Sequence, residues 1–289
     1  MDTVLQIDKL TKRYPGFCLD ELSLTVPSGT IMGLIGENGA GKTTTIDLII
    51  HAIEKDSGEI RIFGKDNIVH EKELKQRIGM VQDTCNLPLM FTISDIETVM
   101  GRIYTDWDRD QFRALTQKFD LPAGQEVWTF SKGMKVKLSF AIALAHHSKL
   151  LLLDEATSGL DPVARGEILD LLLDFVQDEG NSVLLSTHIT GDLEKIADYV
   201  AFLHKGKLLF CKPKDELIYH YGIVHCGAEQ FASMDKEDIV AWHRQDYEHQ
   251  VLVADRAGIA KKYPGYIIDP AALDDIMLLY IRGERTWQD

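Results

Sequence analysis

The segment "GENGAGKTT", Gly36–Thr44, constrains this chain more than any other. It fits the pattern GxxxxGK[ST] and lies between an apolar run, "TIMGLIG", and a helix-forming run, "KTTTIDLIIHAI". The first run is too short for a helix and ends in glycine, so it predicts a buried strand. A strand, a glycine loop and a helix in that order form a phosphate cradle. Glycines let consecutive backbone N–H groups turn toward one anion, and the helix N-terminus adds positive potential. The backbone of Gly36, Glu37, Asn38, Gly39, Ala40 and Gly41 and the start of the helix at Thr44 should surround the phosphates. Lys42 should bridge the β- and γ-phosphates, and Thr43 should hold Mg²⁺.

A second buried strand ends in "LLLLDEAT". Its leucines do not alternate, which suits a parallel strand covered on both faces. Ligands of open α/β sheets gather at the carboxyl ends of such strands. There Asp154 suits a Mg²⁺ partner, and Glu155 suits a general base that polarises an attacking water. "NSVLLSTH" repeats the strand form, "GEIRIFG" alternates as an exposed or half-buried strand, and "VAFLHKGKLLF" reads as two strands about a Lys-Gly turn. Residues 94–148 carry a helical pattern broken at Pro122 and Gly124. Strands alternating with helices predict an α/β fold with a largely parallel sheet.

Beyond about Lys212 the texture changes to shorter strands rich in His, Asp and Glu. A small second domain is placed at residues 213–289, after a first at 1–212. The terminal run "DPAALDDIMLLYIRGE" predicts a helix capped by Asp269, with Pro270 in its first turn. His225, Cys226, His243 and His249 show no metal-ligand spacing.

Composition removes some classes. The 289 residues carry a formal net charge of −14, which disfavours a nucleic-acid partner. Cys18, Cys85, Cys211 and Cys226 are scattered with no CxxC pair, so neither a disulfide framework nor a zinc site is signalled and a reducing compartment fits. The amino terminus alternates like a strand and does not read as a targeting segment. No uninterrupted apolar run is long enough to span a membrane.

The phosphate loop and two carboxylates leave kinases, GTPases and many ATPases open. The ordered set narrows them: "MVQD" with Gln82, "FSKGM", "LLLLDEAT", "SGLDP" and "STHI" with His188. Over residues 2–212 this set resembles the ATP-binding subunits of ABC transporters. The resemblance implies a P-loop ATPase core with a mostly parallel sheet, an N-terminal antiparallel β subdomain, an inserted helical subdomain at about 83–148 and a small C-terminal α/β domain. It implies ATP and Mg²⁺, and a homodimer or heterodimer of ATP-binding subunits joined to a separate integral membrane permease. The chain would then be cytoplasmic, peripheral on the inner face of the membrane.

The family's pattern also assigns roles. Tyr14, in "TKRYPG", should stack on adenine. Ser131 and Gly133 fill the serine and second glycine of a signature that binds the γ-phosphate of ATP held by the other subunit. His188 would contact the γ-phosphate, Gln82 the metal or water, and Asp161 would line the dimer interface. Lys132 stands where the signature has its first glycine, and Met134 where it has glutamine; Lys132 reads either as a solvated or partner-facing lysine or as an added cation near the phosphate. The segment after Gln82, "DTCNLPLMFTISDIETV", should lie against the permease. "YTDWDRDQF", "TFSKGMKVKLSFAIALAHH" and "DDIMLLYIRGE" resemble a bacterial subgroup tied to export of, or immunity to, amphipathic and antimicrobial peptides of the phenol-soluble modulin and bacitracin type. The alternative is a soluble, non-transport ABC ATPase of translation or DNA repair.

Overall fold

A computed structural model describes residues 2–84, 86–245 and 248–284. Cys85 lies outside the described residues. Contacts divide the chain into two compact units: residues up to Ala197 with Ala201–Cys211, and Asp198–Val200 with the residues from Lys212 onward.

The first unit is built on a six-stranded sheet. Its strands run in the spatial order Lys207–Pro213, Tyr199–His204, Ile31–Ile35, Ser182–Thr187, Leu150–Asp154, Ile78–Gln82. Ile31–Ile35, Leu150–Asp154 and Ser182–Thr187 are buried at every position, the burial expected of parallel strands covered on both faces. Their pairings, and that of Ile78–Gln82, are all parallel. The register places Gln82, Asp154 and Ser186 side by side, with Leu34 beside Ser186. The carboxyl ends of four strands are therefore level, and the loops leaving them start from one edge of the sheet.

Four antiparallel strands form a separate sheet in the order Phe17–Pro27, Thr3–Tyr14, Ser57–Ile62, Lys65–Asp66. It is tied to the helix Lys42–Ile49 by Asn67, which is buried. Its Nδ2 donates to the carbonyls of Leu48 (2.9 Å) and Ile49 (3.1 Å). Those are last-turn carbonyls, which have no partner within the helix. The helix behind the phosphate loop is thus anchored from another sheet. The residues between Gln82 and Leu150 carry the helices Ile93–Ile103, Arg109–Lys118 and Lys132–Ala145. Thr92 and Asp95 form a reciprocal cap at the first, so it begins just before the Ser94 suggested by pattern.

In the second unit the antiparallel strands Ala241–Gln245, Glu248–Val253, Gly222–Cys226 and Ile267–Pro270 are accompanied by the helices Lys214–His220, Ala228–Ser233, Arg256–Lys262 and Leu273–Arg282. One expectation fails here. Asp269 and Pro270 do not start the terminal helix; they finish an edge strand, with Asp269 opposite Ile223 and Pro270 opposite Gly222. Pairing holds that segment extended, and an edge tolerates proline's missing N–H. The helix starts at Leu273, where Asp275 Oδ2 accepts from the Ala272 N–H at 3.2 Å.

Asn67→Ala should lower the unfolding free energy by about 2 kcal/mol, because the Ile49 carbonyl loses its donor and the Leu48 carbonyl keeps only the His51 N–H. Asn67→Asp should cost more, since a carboxylate aimed at the same carbonyls cannot donate. Denaturant midpoints of both variants check this; an unchanged midpoint in Asn67→Ala would remove the anchor.

Candidate nucleotide site

The loop between the strand Ile31–Ile35 and the helix Lys42–Ile49 is shaped by close approach. A Cβ on Gly36 would sit 2.3 Å from the Leu203 carbonyl oxygen, so no side chain fits there. Gly41 stands at φ 110 as the residue preceding the helix, a conformation that glycine alone adopts readily. The Ala40 carbonyl accepts from Gly206 N–H at 2.9 Å, which fixes the loop to its neighbour. Lys42 is only 6% exposed. Its Nζ donates to the carbonyls of Gly36 (2.8 Å) and Glu37 (3.4 Å).

A cavity of about 480 Å³ opens over this loop, lined by Gly16, Phe17, Asn38, Gly39, Gly41, Lys42, Thr43, Thr44 and Glu155. Glu155 Oε1 lies 3.2 Å from Lys42 Nζ as an ion pair, and makes no hydrogen bond among the described residues. Glu155 Oε2 accepts from His188 Nδ1–H at 2.7 Å, while the half-exposed imidazole leaves its other nitrogen free to face a ligand. Glu155 itself has φ 52, a strained region for a side-chain-bearing residue, and its N–H donates to the Ser186 carbonyl at 2.9 Å. That backbone kink turns the carboxylate from the strand end toward Lys42.

Asp154 is nearly buried and takes a hydrogen bond from Ser186 Oγ at 2.9 Å through Oδ1. Asp47, on the phosphate-loop helix, has its carboxyl pushed up by burial and then by the negative charge of Asp154. Two carboxylates share this corner, and Gln82 stands opposite Asp154 in register. Asn86 Nδ2 donates to Gln82 Oε1. Oxygen donors beside uncompensated negative charge are the set a hard divalent cation takes.

Other expected residues lie elsewhere. Ser131 caps the helix Lys132–Ala145, its Oγ accepting from Met134 N–H at 3.2 Å. Gly133 faces Leu160 and Ala164, and neither Ser131 nor Gly133 lines the cavity. Asp161 caps the helix Pro162–Phe175, accepting from the N–H groups of Val163 and Ala164, each at 3.0 Å. Those donors, with Lys137 nearby, hold its carboxyl below the usual range. Tyr14 is half exposed and does not line the cavity; its cross-strand partner Phe17 does. Gly16 and Phe17 are the lining residues that motif reasoning missed, and the "YPGF" turn was their signal.

Backbone cradle, buried lysine and paired carboxylates on a level set of parallel strand ends define a P-loop nucleotide-binding fold. Similarity to known proteins narrows the class. The ABC transporter family model matches residues 19–158. The bacitracin transport ATP-binding protein BcrA of Bacillus licheniformis is 34% identical over 75% of this chain and 72% of its own. The ABC transporter ATP-binding protein YtrB of Bacillus subtilis (strain 168) is 32% identical over 75% of each chain. A solved ATP-binding subunit of an ABC transporter superposes with a TM-score of 0.68 at 27% identity, covering 74% of this chain and 91% of that one. The chain belongs to the ATP-binding subunits of ABC transporters, and so is an ATPase whose hydrolysis drives transport.

Asp47 supplies a pH test. Its folded pKa is raised, so its ionisation costs stability at neutral pH, and the cost disappears as pH falls below the unfolded carboxylate value. Asp47→Asn should therefore raise the denaturant midpoint at pH 7 in the absence of divalent cation. The gain should shrink as pH drops toward about 4. A variant equally or less stable than wild type at pH 7 would contradict the crowded-carboxylate picture.

Proposed function

We propose that this chain is the ATPase subunit of a bacterial exporter acting on peptides, with its nucleotide site completed by a second ATP-binding subunit. The observation carrying this reading is the Lys42–Glu155–His188 chain at the cavity mouth. A γ-phosphate entering the cradle takes over the Lys42 ammonium. Glu155, released from the ion pair and still oriented by His188, is then placed to accept a proton from water. Bound Mg²⁺, held by Thr43, Asp154 and Gln82, would offset the charge on the phosphates.

The signature residues support completion from outside. Ser131 begins a helix 14 residues long, and its turn lies against the loop leading to Asp161 and away from the cavity of its own chain. A helix N-terminus is a ready anion site. In a two-fold pair, the Ser131 of each chain would meet the phosphate held by Lys42 of the other. Net charge of −14 on each chain opposes that pairing, so shared nucleotide must hold it together. At the open end of the cavity, Tyr14 would stack on adenine beside Phe17.

A permease surface is proposed after Gln82. The Val127 and Trp128 N–H groups donate to the carbonyls of Phe91 and Leu89, each at 2.9 Å. This fastening sets Leu89 (48% exposed), Met90 (68%) and Trp128 (58%) close together on the surface. Apolar side chains grouped in this way mark an interaction site. No helix among the described residues is long and apolar enough to cross a membrane, so the path for cargo would belong to a partner. The names of the relatives, bacitracin transport and daunorubicin/doxorubicin resistance, favour export of amphipathic molecules.

Glu155→Gln should keep ATP binding and lower turnover by about 10²–10⁴-fold, the scale of a general base. Light scattering should show this variant as a monomer without nucleotide and a dimer with ATP. Near-normal turnover would remove Glu155 as the base, and a dimer indifferent to ATP would place dimerisation outside the nucleotide site. Tyr14→Ala should weaken ATP binding about tenfold, as expected for loss of one base–aromatic stack. Unchanged affinity would leave Phe17 as the adenine contact.

A further inference from the structure

Lys132 is the residue that sets this signature apart, and its side chain is not directed away from the protein. A Cβ built on Gly159 would lie 3.2 Å from Lys132 Nζ, 3.8 Å from its Cδ and 3.9 Å from its Cε. The outer half of the lysine side chain, from Cδ to the ammonium, already occupies the space that a side chain at position 159 would take. Gly159 has φ 70 and sits in the short loop that leaves Glu155. Within that loop the Ser158 N–H donates to the Glu155 carbonyl at 3.0 Å, and the Leu160 N–H to the Thr157 carbonyl at 3.4 Å. Arg165 Nη2 holds the Leu160 carbonyl at 3.2 Å. The next residue along the helix from Lys132, Gly133, abuts Leu160 and Ala164 on the far side of the same loop. The first turn of the signature helix therefore lies beside this loop, with the outer half of the Lys132 side chain over Gly159 and Gly133 facing Leu160.

From this we infer that Lys132 is a positioning residue for hydrolysis. Its long side chain clamps the Ser158–Gly159 turn by filling the space over Gly159, linking the signature Ser131 to Glu155 within one chain. The two linked ends serve different nucleotides in the proposed pair, Glu155 its own and Ser131 the partner's. The clamp would thus make docking of the signature on one ATP set the aim of the base toward the other. Lys132 touches neither the phosphate loop nor the cavity lining, so it should leave ATP binding to the isolated chain alone.

The inference rests on Glu155 being the base, which Glu155→Gln tests separately: turnover surviving in that variant removes the base whatever Lys132 does. The test of the clamp is steady-state ATPase kinetics and equilibrium ATP binding of the full chain, for wild type, Lys132→Ala, Lys132→Met and Lys132→Arg. Alanine favours helices, so Lys132→Ala shortens the stem without weakening the helix start. Small misplacements of a catalytic group are costly, so Lys132→Ala should lower kcat at least about fivefold while KM and the ATP dissociation constant stay within about twofold. Lys132→Met and Lys132→Arg, which keep a long stem, should restore kcat to within about twofold of wild type. Unchanged ATP binding in Lys132→Ala confirms that the core is folded. Wild-type kcat in Lys132→Ala would overturn the clamp. So would a Lys132→Met as slow as Lys132→Ala, which would show that the ammonium acts and not the stem.

Discussion

A buried ammonium governs this molecule. Lys42 is almost wholly removed from water, and an unpaired charge there would be costly. The chain meets that demand with two carbonyls of its own loop and the Glu155 carboxylate. Those partners come from segments more than a hundred residues apart. They converge because the strands Ile31–Ile35, Ser182–Thr187 and Leu150–Asp154 run parallel in level register. The same alignment delivers Asp154, Gln82 and, one residue past its strand, His188. Sheet topology and the neutralisation of this lysine are thus a single requirement.

The charges also set the conditions for assembly. A few cations of this strongly acidic chain stand where the proposed pair would hold phosphate. Lys42 lies at the cradle, and Lys132 and Lys137 lie around the signature helix and the loop before Asp161. In the proposed pair, repulsion between two such chains would make nucleotide a necessary part of the interface, with hydrolysis as its release. The strained backbone at Glu155 belongs to this account as well. At φ 52 the residue is held by a hydrogen bond to the neighbouring strand and by two side-chain partners, Lys42 and His188.

Much of this was legible in the sequence, for physical reasons that differ by element. The phosphate loop and the acidic strand end are local patterns, and unbroken apolar runs are what a doubly covered parallel strand requires. The hairpin at "HKGK" was equally local. What escaped depended on tertiary pairing. Asp269 and Pro270 look like a helix start, yet an adjacent strand holds them extended. Asn67 looks like an ordinary loop residue, and only the folded chain shows it capping the phosphate-loop helix. Phe17 was overlooked because Tyr14, across the same turn, fits the family pattern. Lys132 read as solvated because its contact, Gly159, lies 27 positions along the chain and has no side chain to announce a pairing.

The central claim is that one chain holds half of each site. Complementation tests it most directly. Lys42→Ala should fail to hold phosphate, and Ser131→Arg should place a bulky cationic side chain where the partner's phosphate belongs, so each variant alone should be inactive. Mixed, they form pairs in which the intact Lys42 of one chain faces the intact Ser131 of the other, giving one complete site. The account predicts that ATPase activity reappears on mixing, with a dependence on protein concentration that tracks pair formation. A mixture no more active than the sum of its parts would show that each site is built within a single chain.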